Sequence, residues 1–477
     1  MDRNVSGSAP IVRRGDEVFL RIDDAAFEGK TVARYEGLVV FVEGAVPGDR
    51  IRAKITKVKK NLAEARVIVV EEASNDRVQP ACMHFGTCGG CRWQHVKYEA
   101  QTRFKQQHVV DCLRRLGKLD GFEVLPIIGA DEPYWYRNKM EFSFAAREWS
   151  EIPPEGVEQS DGVFVGLHVP QRYDKVLDVH TCHLQSEESN AILSYTRGFS
   201  RTSGLPVYSS DLNGGYWRFL VIRESKRTVE RMVNIVTFED RPDVMKAYVD
   251  GLLAAVPGTT TVVNTLNATR SQIAFGNEEK VYRGDGIIHE RMGGFTFSIS
   301  AQSFFQTNTT QAERLYETAA GFAELRKEDT LYDLYSGTGT IAIVLSSRVR
   351  RVIGVESVTS SVKDAEANAK RNGITNCTFI SGDLQERLKH RSEWMEAARP
   401  RVIIVDPPRS GMHPDIVRSL VEVGAERLVY VSCNPATQAR DCAALVAGGY
   451  TLAKIRPVDM FPHTYHVENV ALLVKNV

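Results

Sequence analysis

The chain has 477 residues, more than one compact core usually holds, so its length predicts about three domains. Its 60 basic and 60 acidic residues cancel, so any affinity for nucleic acid has to come from local patches. With 43% hydrophobic and 25% charged residues, the composition excludes a fibrous or low-complexity chain. No apolar run is long enough to cross a membrane and no apolar leader opens the sequence, so we expect a cytoplasmic protein without membrane contact.

The N-terminal region predicts a flexible tail over residues 1–10 and a small β-barrel over residues 11–72. Ile51, Ala53 and Ile55 alternate with charged residues, as in a strand that buries one face. The same strand is rich in basic residues, and small barrels often bind oligonucleotides. The run GLVVFVEGAVPGD resembles the TRAM domain, an RNA-binding barrel, and the resemblance implies that this domain binds RNA.

Residues 73–300 predict a central α+β domain. A basic amphipathic helix is predicted from Tyr98 to Leu116, and YWYRNKMEFSF (134–144) predicts a turn that leads into a strand. The acidic, proline-containing stretch 149–162 predicts an exposed loop.

From residue 301 to residue 477 the pattern changes to alternating strands and helices. The apolar runs lie at 330–335, 351–355, 377–380, 401–405 and 427–432. Helix-length stretches separate them, and such alternation indicates a parallel sheet covered by helices on both faces. We therefore predict an α/β fold with a C-terminal Rossmann-like domain, which follows the N-terminal barrel and the central domain along the chain.

The segment LYDLYSGTGT (331–340) predicts a strand that enters a tight turn at Gly337 and Gly339. Glycines there let the backbone approach a ligand at the carboxyl edge of the sheet. The next strand ends at Glu356, where a carboxylate can accept hydrogen bonds from both hydroxyls of a ribose, and the third strand leads to Asp383, placed to reach an adenine edge. The third glycine of a dinucleotide fingerprint is missing, which favours S-adenosylmethionine over a nicotinamide cofactor.

Two further strands of this domain end in reactive groups. One strand ends at Asp406, and the next delivers Cys433 directly before an Asn-Pro turn. A buried structural thiol is the alternative interpretation, and it suits Cys377 and Cys442 better. A cysteine at the carboxyl end of such a strand is a candidate nucleophile.

The chemistry of uracil explains why a thiol is useful here. Carbon 5 becomes nucleophilic enough to accept a methyl group when a thiolate adds to carbon 6, so we expect the loop of Cys433 to favour the anion. A base must then remove the proton from carbon 5, and Glu468, just before the last apolar strand, is the candidate.

From Ser300 onward the chain resembles the RNA 5-methyluridine methyltransferases through SAQSFFQTN, DLYSGTGT, DPPRSG, SCNPAT and HVENVALL, in that order. The resemblance implies that the Rossmann-like domain is an S-adenosylmethionine methyltransferase domain, with Cys433 as the nucleophile and Glu468 as the base. One departure is Thr340, where some relatives carry Asn. The implied contacts to S-adenosylmethionine come from Gln306, Tyr335, Glu356 and Asp406, with Asp383 nearby.

Three cysteines, Cys82, Cys88 and Cys91, crowd into ten residues, and Cys182 is a candidate fourth ligand. Three close thiols and a distant fourth suit an iron–sulfur cluster better than zinc, which usually has two short cysteine pairs. The spacing also differs from the C-x3-C-x2-C of radical S-adenosylmethionine enzymes. The family resemblance extends through ACMHFGTCGGCRWQH and implies a [4Fe-4S] cluster, with zinc as the alternative.

Several alternatives remain at this point. A non-catalytic RNA-binding protein and a 5-methylcytosine methyltransferase are rivals of the uridine enzyme. The favoured substrate is 23S ribosomal RNA, because the family members with a TRAM domain and a cluster typically act on it, and tRNA is the alternative. Arg137, Asn138 and Lys139 either contact RNA or stabilise the fold. We expect a monomer.

Overall fold

The computed structural model describes residues 11–147, 149, 162–170, 172–396 and 400–476. The tail predicted over residues 1–10 and most of the loop predicted over 149–162 lie outside these ranges. The chain forms two compact units. Unit 1 runs to Gly86 and includes Gly90–His108 and Phe461–Tyr465, whereas unit 2 holds Thr87–Gly89, Val109–Met460 and the residues from His466 onward.

Unit 1 contains a closed five-stranded barrel with the strand order β1-β2-β3-β5-β4. Ile51, Ala53 and Ile55 point into its core, each at most 1% exposed, so the predicted alternation is confirmed. The strands are β1 (Glu17–Ala25), β2 (Thr31–Tyr35), β3 (Leu38–Glu43), β4 (Arg50–Lys59) and β5 (Leu62–Glu72), with a short 3-10 turn at Phe27–Gly29.

After the barrel, the chain forms the helix α1 (Tyr98–Asp111), which continues as one π-helical turn over Cys112–Leu116. Together they match the helix predicted from Tyr98 to Leu116. A short strand, β6 (Glu123–Val124), follows.

The first part of unit 2 is a seven-stranded sheet with the order β13-β12-β11-β10-β7-β8-β9, in which only β11 and β12 among the described strands run parallel. The strand predicted after the turn at 134–138 is β7. The elements are β7 (Lys139–Ala145), β8 (Phe164–Val169), β9 (Arg172–Asp178), α2 (Glu187–Thr202), β10 (Trp217–Glu224), β11 (Arg231–Thr237), α3 (Pro242–Ala255), β12 (Thr261–Leu266) and β13 (Glu278–Arg283).

The C-terminal part of unit 2 contains an antiparallel hairpin, β14 and β15, and then an eight-stranded sheet. The elements are β14 (Ile287–Met292), β15 (Phe295–Ser300), α4 (Thr309–Ala323), β16 (Thr330–Leu334), α5 (Thr340–Leu345), β17 (Arg351–Glu356), α6 (Thr359–Arg371), β18 (Cys377–Ser381), α7 (Leu384–Lys389), β19 (Val402–Val405), α8 (Pro414–Val423), β20 (Arg427–Ser432), α9 (Pro435–Ala447), β21 (Tyr450–Val458) and β22 (Glu468–Lys475). Short 3-10 turns lie at Ser346–Arg348 and Arg391–Glu393.

The order of the large sheet is β18-β17-β16-β19-β20-β22-β21-β6. Strands β16 to β20 run parallel, and β22 is antiparallel to both neighbours. All five predicted apolar runs are strands. Helices cover the sheet and bury most of β16, β17, β19 and β20, whereas the edge strand β18 is only partly buried. Among the described residues, no helix combines the length and the apolar character that are needed to span a membrane.

Candidate active site

The carboxyl ends of the five parallel strands meet at one edge of the sheet, where open α/β sheets bind ligands. Because β22 is antiparallel, its amino end reaches the same edge. The predicted site residues at this edge are Tyr335 after β16, Glu356 at the end of β17, Asp383 after β18, Asp406 after β19, Cys433 after β20 and Glu468 at the start of β22.

The turn between β16 and α5 has the backbone shape that its glycines predict. Gly337 and Gly339 have φ of 53° and 75°, and Tyr335 adopts the same left-handed region at 66°. A Cβ atom on Gly339 would lie 2.8 Å from the Phe379 ring, so this position has no room for a side chain. A Cβ atom on Gly337 would meet nothing within 4 Å, so the turn is open on that side.

Both acidic residues expected near the nucleoside already hold backbone groups. The Glu356 carboxylate accepts the N–H of Gly337 at 2.9 Å and that of Val358 at 2.8 Å, which fixes the glycine turn against the next helix. The Asp383 carboxylate accepts the N–H of Glu386 at 3.1 Å and caps α7. Contacts of these two residues to a ribose and an adenine stay predictions.

Gln306 lies just before α4. Its side chain hydrogen-bonds the hydroxyl of Tyr316, a buried residue on that helix. Its carbonyl oxygen accepts a hydrogen bond from Nδ2 of Asn138 at 2.8 Å, and the same Nδ2 donates to Thr309 at 3.0 Å. Asn138 is buried, so it holds the Gln306 loop in place. This contact favours the fold-stabilising interpretation of Asn138.

Cys433 and Glu468 come from neighbouring strands. The last paired residues of β20 and β22 are Ser432 and Asn469, so the next position on each strand is Cys433 and Glu468. Cys433 is half-buried and Glu468 is 4% exposed. The thiol is therefore at the ligand-binding edge and is not sealed in the apolar core.

The loop after Asp406 is tied to the loop after Cys433. The carbonyl oxygen of Arg409 accepts hydrogen bonds from Nδ2 of Asn434 at 2.9 Å and from Oγ1 of Thr437 at 3.2 Å. These bonds hold the Arg409 backbone beside the start of α9. The charge of Arg409 lowers the pKa of both Cys433 and Glu468.

Three buried carboxyl groups at this edge have raised pKa values. Burial, together with the charge of Asp406, raises the pKa of Glu468 to about 8. Burial also raises the pKa of Asp406 to about 7, and burial with the charge of Asp406 raises that of Asp333 to about 7. Perturbed carboxyls that cluster in this way are typical of active sites.

The expectation that the loop of Cys433 favours the thiolate is wrong for the chain on its own. Burial, and then the charges of Glu468 and Asp406, raise the pKa of the thiol to about 11, and Arg409 only partly opposes them. The physical reason is that a half-buried sulfur between two carboxylates is a poor place for a further negative charge.

Comparisons with known proteins identify the family. The model described as tRNA (uracil-5-)-methyltransferase matches residues 287–476, and the TRAM domain model matches residues 12–68. An uncharacterised RNA methyltransferase of Chlorobaculum tepidum is 43% identical over 465 residues, which cover 96% of each chain. The chain belongs to the RNA uracil-5-methyltransferase family.

Other relatives of this uracil-5-methyltransferase agree. An uncharacterised RNA methyltransferase of Porphyromonas gingivalis is 42% identical over 468 residues, which cover 96% of this chain and 100% of that one. The crystal structure of Pyrococcus abyssi tRNA (uracil-54, C5)-methyltransferase in complex with S-adenosyl-L-homocysteine has a TM-score of 0.72 at 28% identity and covers 95% of this chain and 99% of that one. The predicted fold class, the RNA substrate class and the dependence on S-adenosylmethionine are thus confirmed.

Sequence reasoning missed three residues of the methyltransferase site. Tyr316 is a buried residue of α4, and in the sequence it looks like an ordinary core aromatic. Its hydrogen bond with Gln306 could therefore not be predicted. Arg409 is part of the motif DPPRSG, but the sequence does not show that its charge lowers the pKa of the Cys433 thiol. Phe304 is 65% exposed, and its carbonyl oxygen accepts a hydrogen bond from Oγ1 of Thr338 in the glycine turn at 3.4 Å, a contact for which the sequence holds no signal.

The cysteines predicted to bind a cluster fall in both units, with Cys82 and Cys91 in unit 1 and Cys88 and Cys182 in unit 2. Gln94 bridges two of them within unit 1. Its Oε1 accepts the N–H of Cys82 at 3.1 Å, and its Nε2 donates to the sulfur of Cys91 at 3.3 Å. In the part of the chain that the structure describes, no group of three or more His, Cys, Asp or Glu side chains forms a metal site. The cluster stays a prediction.

Proposed function

We propose that this methyltransferase modifies carbon 5 of a specific uridine through a covalent adduct between Cys433 and carbon 6 of the base. The observation that carries the proposal is the adjacency of Cys433 and Glu468 at the ends of two paired strands. A nucleophile and a carboxyl on neighbouring strands suit a reaction in which one ring carbon is attacked and the next carbon loses its proton.

In the proposed reaction, the Cys433 thiol loses its proton to water and its sulfur bonds to carbon 6, which places negative charge on carbon 5 and the carbonyl oxygen. S-adenosylmethionine would supply the electrophilic methyl group to carbon 5, and S-adenosylhomocysteine would leave with the electron pair of the broken sulfur–methyl bond. The Glu468 carboxylate then removes the proton from carbon 5, the bond between sulfur and carbon 6 breaks, and the thiolate is regenerated. Arg409 supports both anionic states, because its charge lowers the pKa of Cys433 and of Glu468.

The cofactor contacts that we propose come from Gln306, Tyr335, Glu356, Asp383 and Asp406. Two observations support this set: four of the five residues end or follow strands at the carboxyl edge of the sheet, and the space next to Gly337 is free. Glu356 would orient the ribose while keeping the turn in shape, and the edge of the sheet is where such ligands bind.

Two variants test the covalent step. Cys433→Ala should abolish methylation while binding S-adenosylhomocysteine as tightly as the parent, and Cys377→Ala, a thiol in β18, should stay active. Glu468→Gln should accumulate a protein–RNA adduct that survives denaturing electrophoresis, because the carbon 5 proton stays in place. Turnover by Cys433→Ala would refute the nucleophile, and the absence of an adduct in Glu468→Gln would refute the base.

We propose 23S ribosomal RNA as the substrate. The support is that this chain combines a TRAM domain with a cysteine motif, as family members that act on this RNA typically do. The second candidate is tRNA, which the Pyrococcus abyssi relative supports by its stated action on uridine 54 of tRNA. Mass mapping of 5-methyluridine in both RNAs, from cells with and without the gene, separates the two. Loss of the modification only from tRNA would refute the ribosomal assignment.

We also propose that one outer face of the barrel binds the RNA. Phe19 on β1 is 70% exposed and pairs with Arg52 on β4, while Arg21 pairs with Arg50. Lys54 lies two residues beyond Arg52 on the same strand. An exposed aromatic ring among basic side chains supports single-stranded RNA binding, because a base stacks on the ring and the cations attract the phosphates.

Two of these cations are partly neutralised, since Arg52 lies 3.1 Å from Glu17 and Arg50 lies 3.2 Å from Glu72. Stacking on Phe19 should therefore contribute more than charge. Phe19→Ala should raise the KM for RNA about tenfold at constant salt. Val58→Ala, at the other end of β4, is the control. An unchanged KM in Phe19→Ala would contradict the proposed face.

We propose finally that Cys82, Cys88, Cys91 and Cys182 bind a [4Fe-4S] cluster with a structural role, with zinc as the alternative. Hydrogen bonds to sulfur support this ligand set, because they stabilise cluster thiolates. The sulfur of Cys91 receives one from Gln94. Burial raises the pKa of Cys82, and backbone hydrogen bonds from His84 and Phe85 oppose that rise.

Anaerobically purified protein should contain about four iron and four sulfide ions per chain if this ligand set holds a complete cluster. Cys182→Ala should lose part of the iron, whereas Cys377→Ala should keep it. A full cluster in Cys182→Ala would contradict the four-ligand set. One zinc ion per chain without sulfide would show that the four cysteines bind zinc and not an iron–sulfur cluster.

A further inference from the structure

Unit 2 contains a cavity of about 350 Å³ that the proposed reaction does not use. Three segments line it: the loop 130–136, the pair Lys226 and Arg227 after β10, and residues 308–311 at the start of α4. Its volume is at the small end of ligand pockets, which hold about 300–1,000 Å³, so it fits one nucleotide and not a duplex.

The loop 130–136 supplies aromatic walls. Tyr134 and Trp135 have ring centroids 5.8 Å apart at an angle of 56°, so the two rings form a corner. Trp135 is 50% exposed, and its φ of 51° is strained for a residue with a side chain. Its backbone is fixed on both sides, because its N–H donates to His183 at 2.9 Å and its carbonyl accepts Nζ of Lys226 at 2.7 Å.

The charges around the cavity are balanced. Lys226 pairs with Glu224, and Arg227 donates to Glu313 at 2.6 Å. Because these cations already have carboxylate partners, the cavity has no strong attraction for a phosphate. Asp131 of the same loop pairs with Arg314, whereas the exposed Glu132, which also lines the cavity, makes no hydrogen bond or ion pair with any residue that the structure describes. Aromatic walls with a spare acceptor suit a nucleobase, whose amino group can donate to the carboxylate.

The cavity is connected to the cofactor loop through buried hydrogen bonds. Thr309, in its wall, donates to the buried carboxylate of Glu290 at 2.9 Å, and that carboxylate also accepts the backbone N–H of Lys226 at 2.8 Å. Thr309 and Gln306 share the Nδ2 group of Asn138. A ligand in the cavity would therefore contact residues that are hydrogen-bonded, through Asn138, to the segment that carries Gln306.

We infer that this cavity binds one unstacked base of the RNA substrate, from a nucleotide other than the methylated uridine, by stacking on Trp135. An enzyme that turns its target base out of the stack also weakens the stacking of the neighbouring bases, and an aromatic wall can replace the lost stacking for one of them. The inference rests on RNA being the substrate, and not on the covalent mechanism.

The test measures RNA binding by full-length protein that carries Cys433→Ala, so that no turnover occurs. The probes are 23S ribosomal RNA and bulk tRNA purified from cells without the gene, in filter binding at constant salt. Adding Trp135→Ala should raise the Kd of the RNA that binds by about tenfold, because the stacking surface is lost. Trp135→Phe keeps an aromatic ring and should stay within about threefold of the parent.

Leu212→Ala, an 84% exposed residue of the same unit, is the matched control and should leave the Kd unchanged. Ultraviolet crosslinking followed by peptide mass spectrometry should place an RNA adduct on the 130–136 loop. An unchanged Kd in Trp135→Ala would overturn the inference. Equal losses in Trp135→Ala and Trp135→Phe with a lowered Tm in both would also overturn it, because they would indicate a purely structural tryptophan.

Discussion

Cys433 and Glu468 stand one position beyond the paired residues Ser432 and Asn469, and the charge of Glu468 is one cause of the high pKa of the thiol. The Glu468 carboxylate therefore opposes the ionisation of the thiol, although the reaction needs both groups as anions. Arg409 is the cation that lowers the pKa of both. The reaction requires both groups to ionise in spite of this repulsion, and the pKa of each group can be measured.

Removing the charge of Glu468 should lower the pKa of Cys433. The Glu468 carboxyl, with a pKa of about 8, is ionised throughout the range in which the thiol titrates near 11, so Glu468→Gln removes a repulsion. Burial remains the largest cause, so the thiol pKa should stay above its ordinary value. A fall of one unit would raise the thiolate fraction about tenfold below the pKa.

The measurement is the iodoacetamide reaction rate of Cys433 against pH, followed peptide by peptide by mass spectrometry so that the other cysteines do not interfere. Glu317→Gln, on the exposed side of α4, is the control. The same thiol titration in Glu468→Gln and the parent would show that the carboxylate does not act on the sulfur.

The pH dependence of methylation should follow from the same two groups. Both must be deprotonated, and both have raised pKa values, so kcat/KM should rise with pH. Below the Glu468 pKa of about 8 both protons must be lost, and between about 8 and 11 only the thiol proton remains. The logarithm of kcat/KM should thus rise with a slope of about 2 and then about 1. A profile that is flat between pH 6 and 8 would contradict this assignment.

The loop of Gln306 should depend on Asn138. Asn138→Ala removes a donor from the Gln306 carbonyl and leaves buried groups without a partner, so affinity for S-adenosylhomocysteine should fall about tenfold by calorimetry. Arg137→Ala changes the neighbouring residue without touching this bond and should keep the affinity. If both variants bind the ligand like the parent, Asn138 does not position the loop.

Much of the fold and part of the site were predictable from the sequence. The five parallel strands were visible because doubly covered strands are continuous apolar runs, and Cys433 was visible because it ends one of them. The charge state of Cys433 was not predictable, since it depends on Glu468, 35 positions along the chain, and on the Asp406 loop. The predicted domain boundaries at residues 72 and 300 stay predictions.

Asp333 should make the protein less stable at alkaline pH. It is fully buried, and one carboxylate oxygen accepts the N–H of Ala342 at 3.1 Å while the other has no hydrogen-bond partner among the described residues. Its pKa of about 7 in the folded chain lies above the ordinary value, so the folded state holds the proton more tightly than the unfolded chain does. The stabilisation from this proton is complete below about pH 4 and is lost as the pH rises through 7.

Asparagine cannot titrate, so Asp333→Asn should lose less stability between pH 6 and 8.5 than the parent, by about 1.4 kcal/mol for one group with this pKa. Urea unfolding of unit 2 at both pH values measures the difference, and Asp120→Asn, an exposed carboxyl of the same unit, should behave like the parent. Asp406 and Glu468, which also titrate in this range, are retained in both proteins, so the difference between the proteins measures the effect of replacing Asp333. If the unfolding free energy falls by the same amount between pH 6 and 8.5 in Asp333→Asn and in the parent, Asp333 is already ionised at pH 6 and the prediction is wrong.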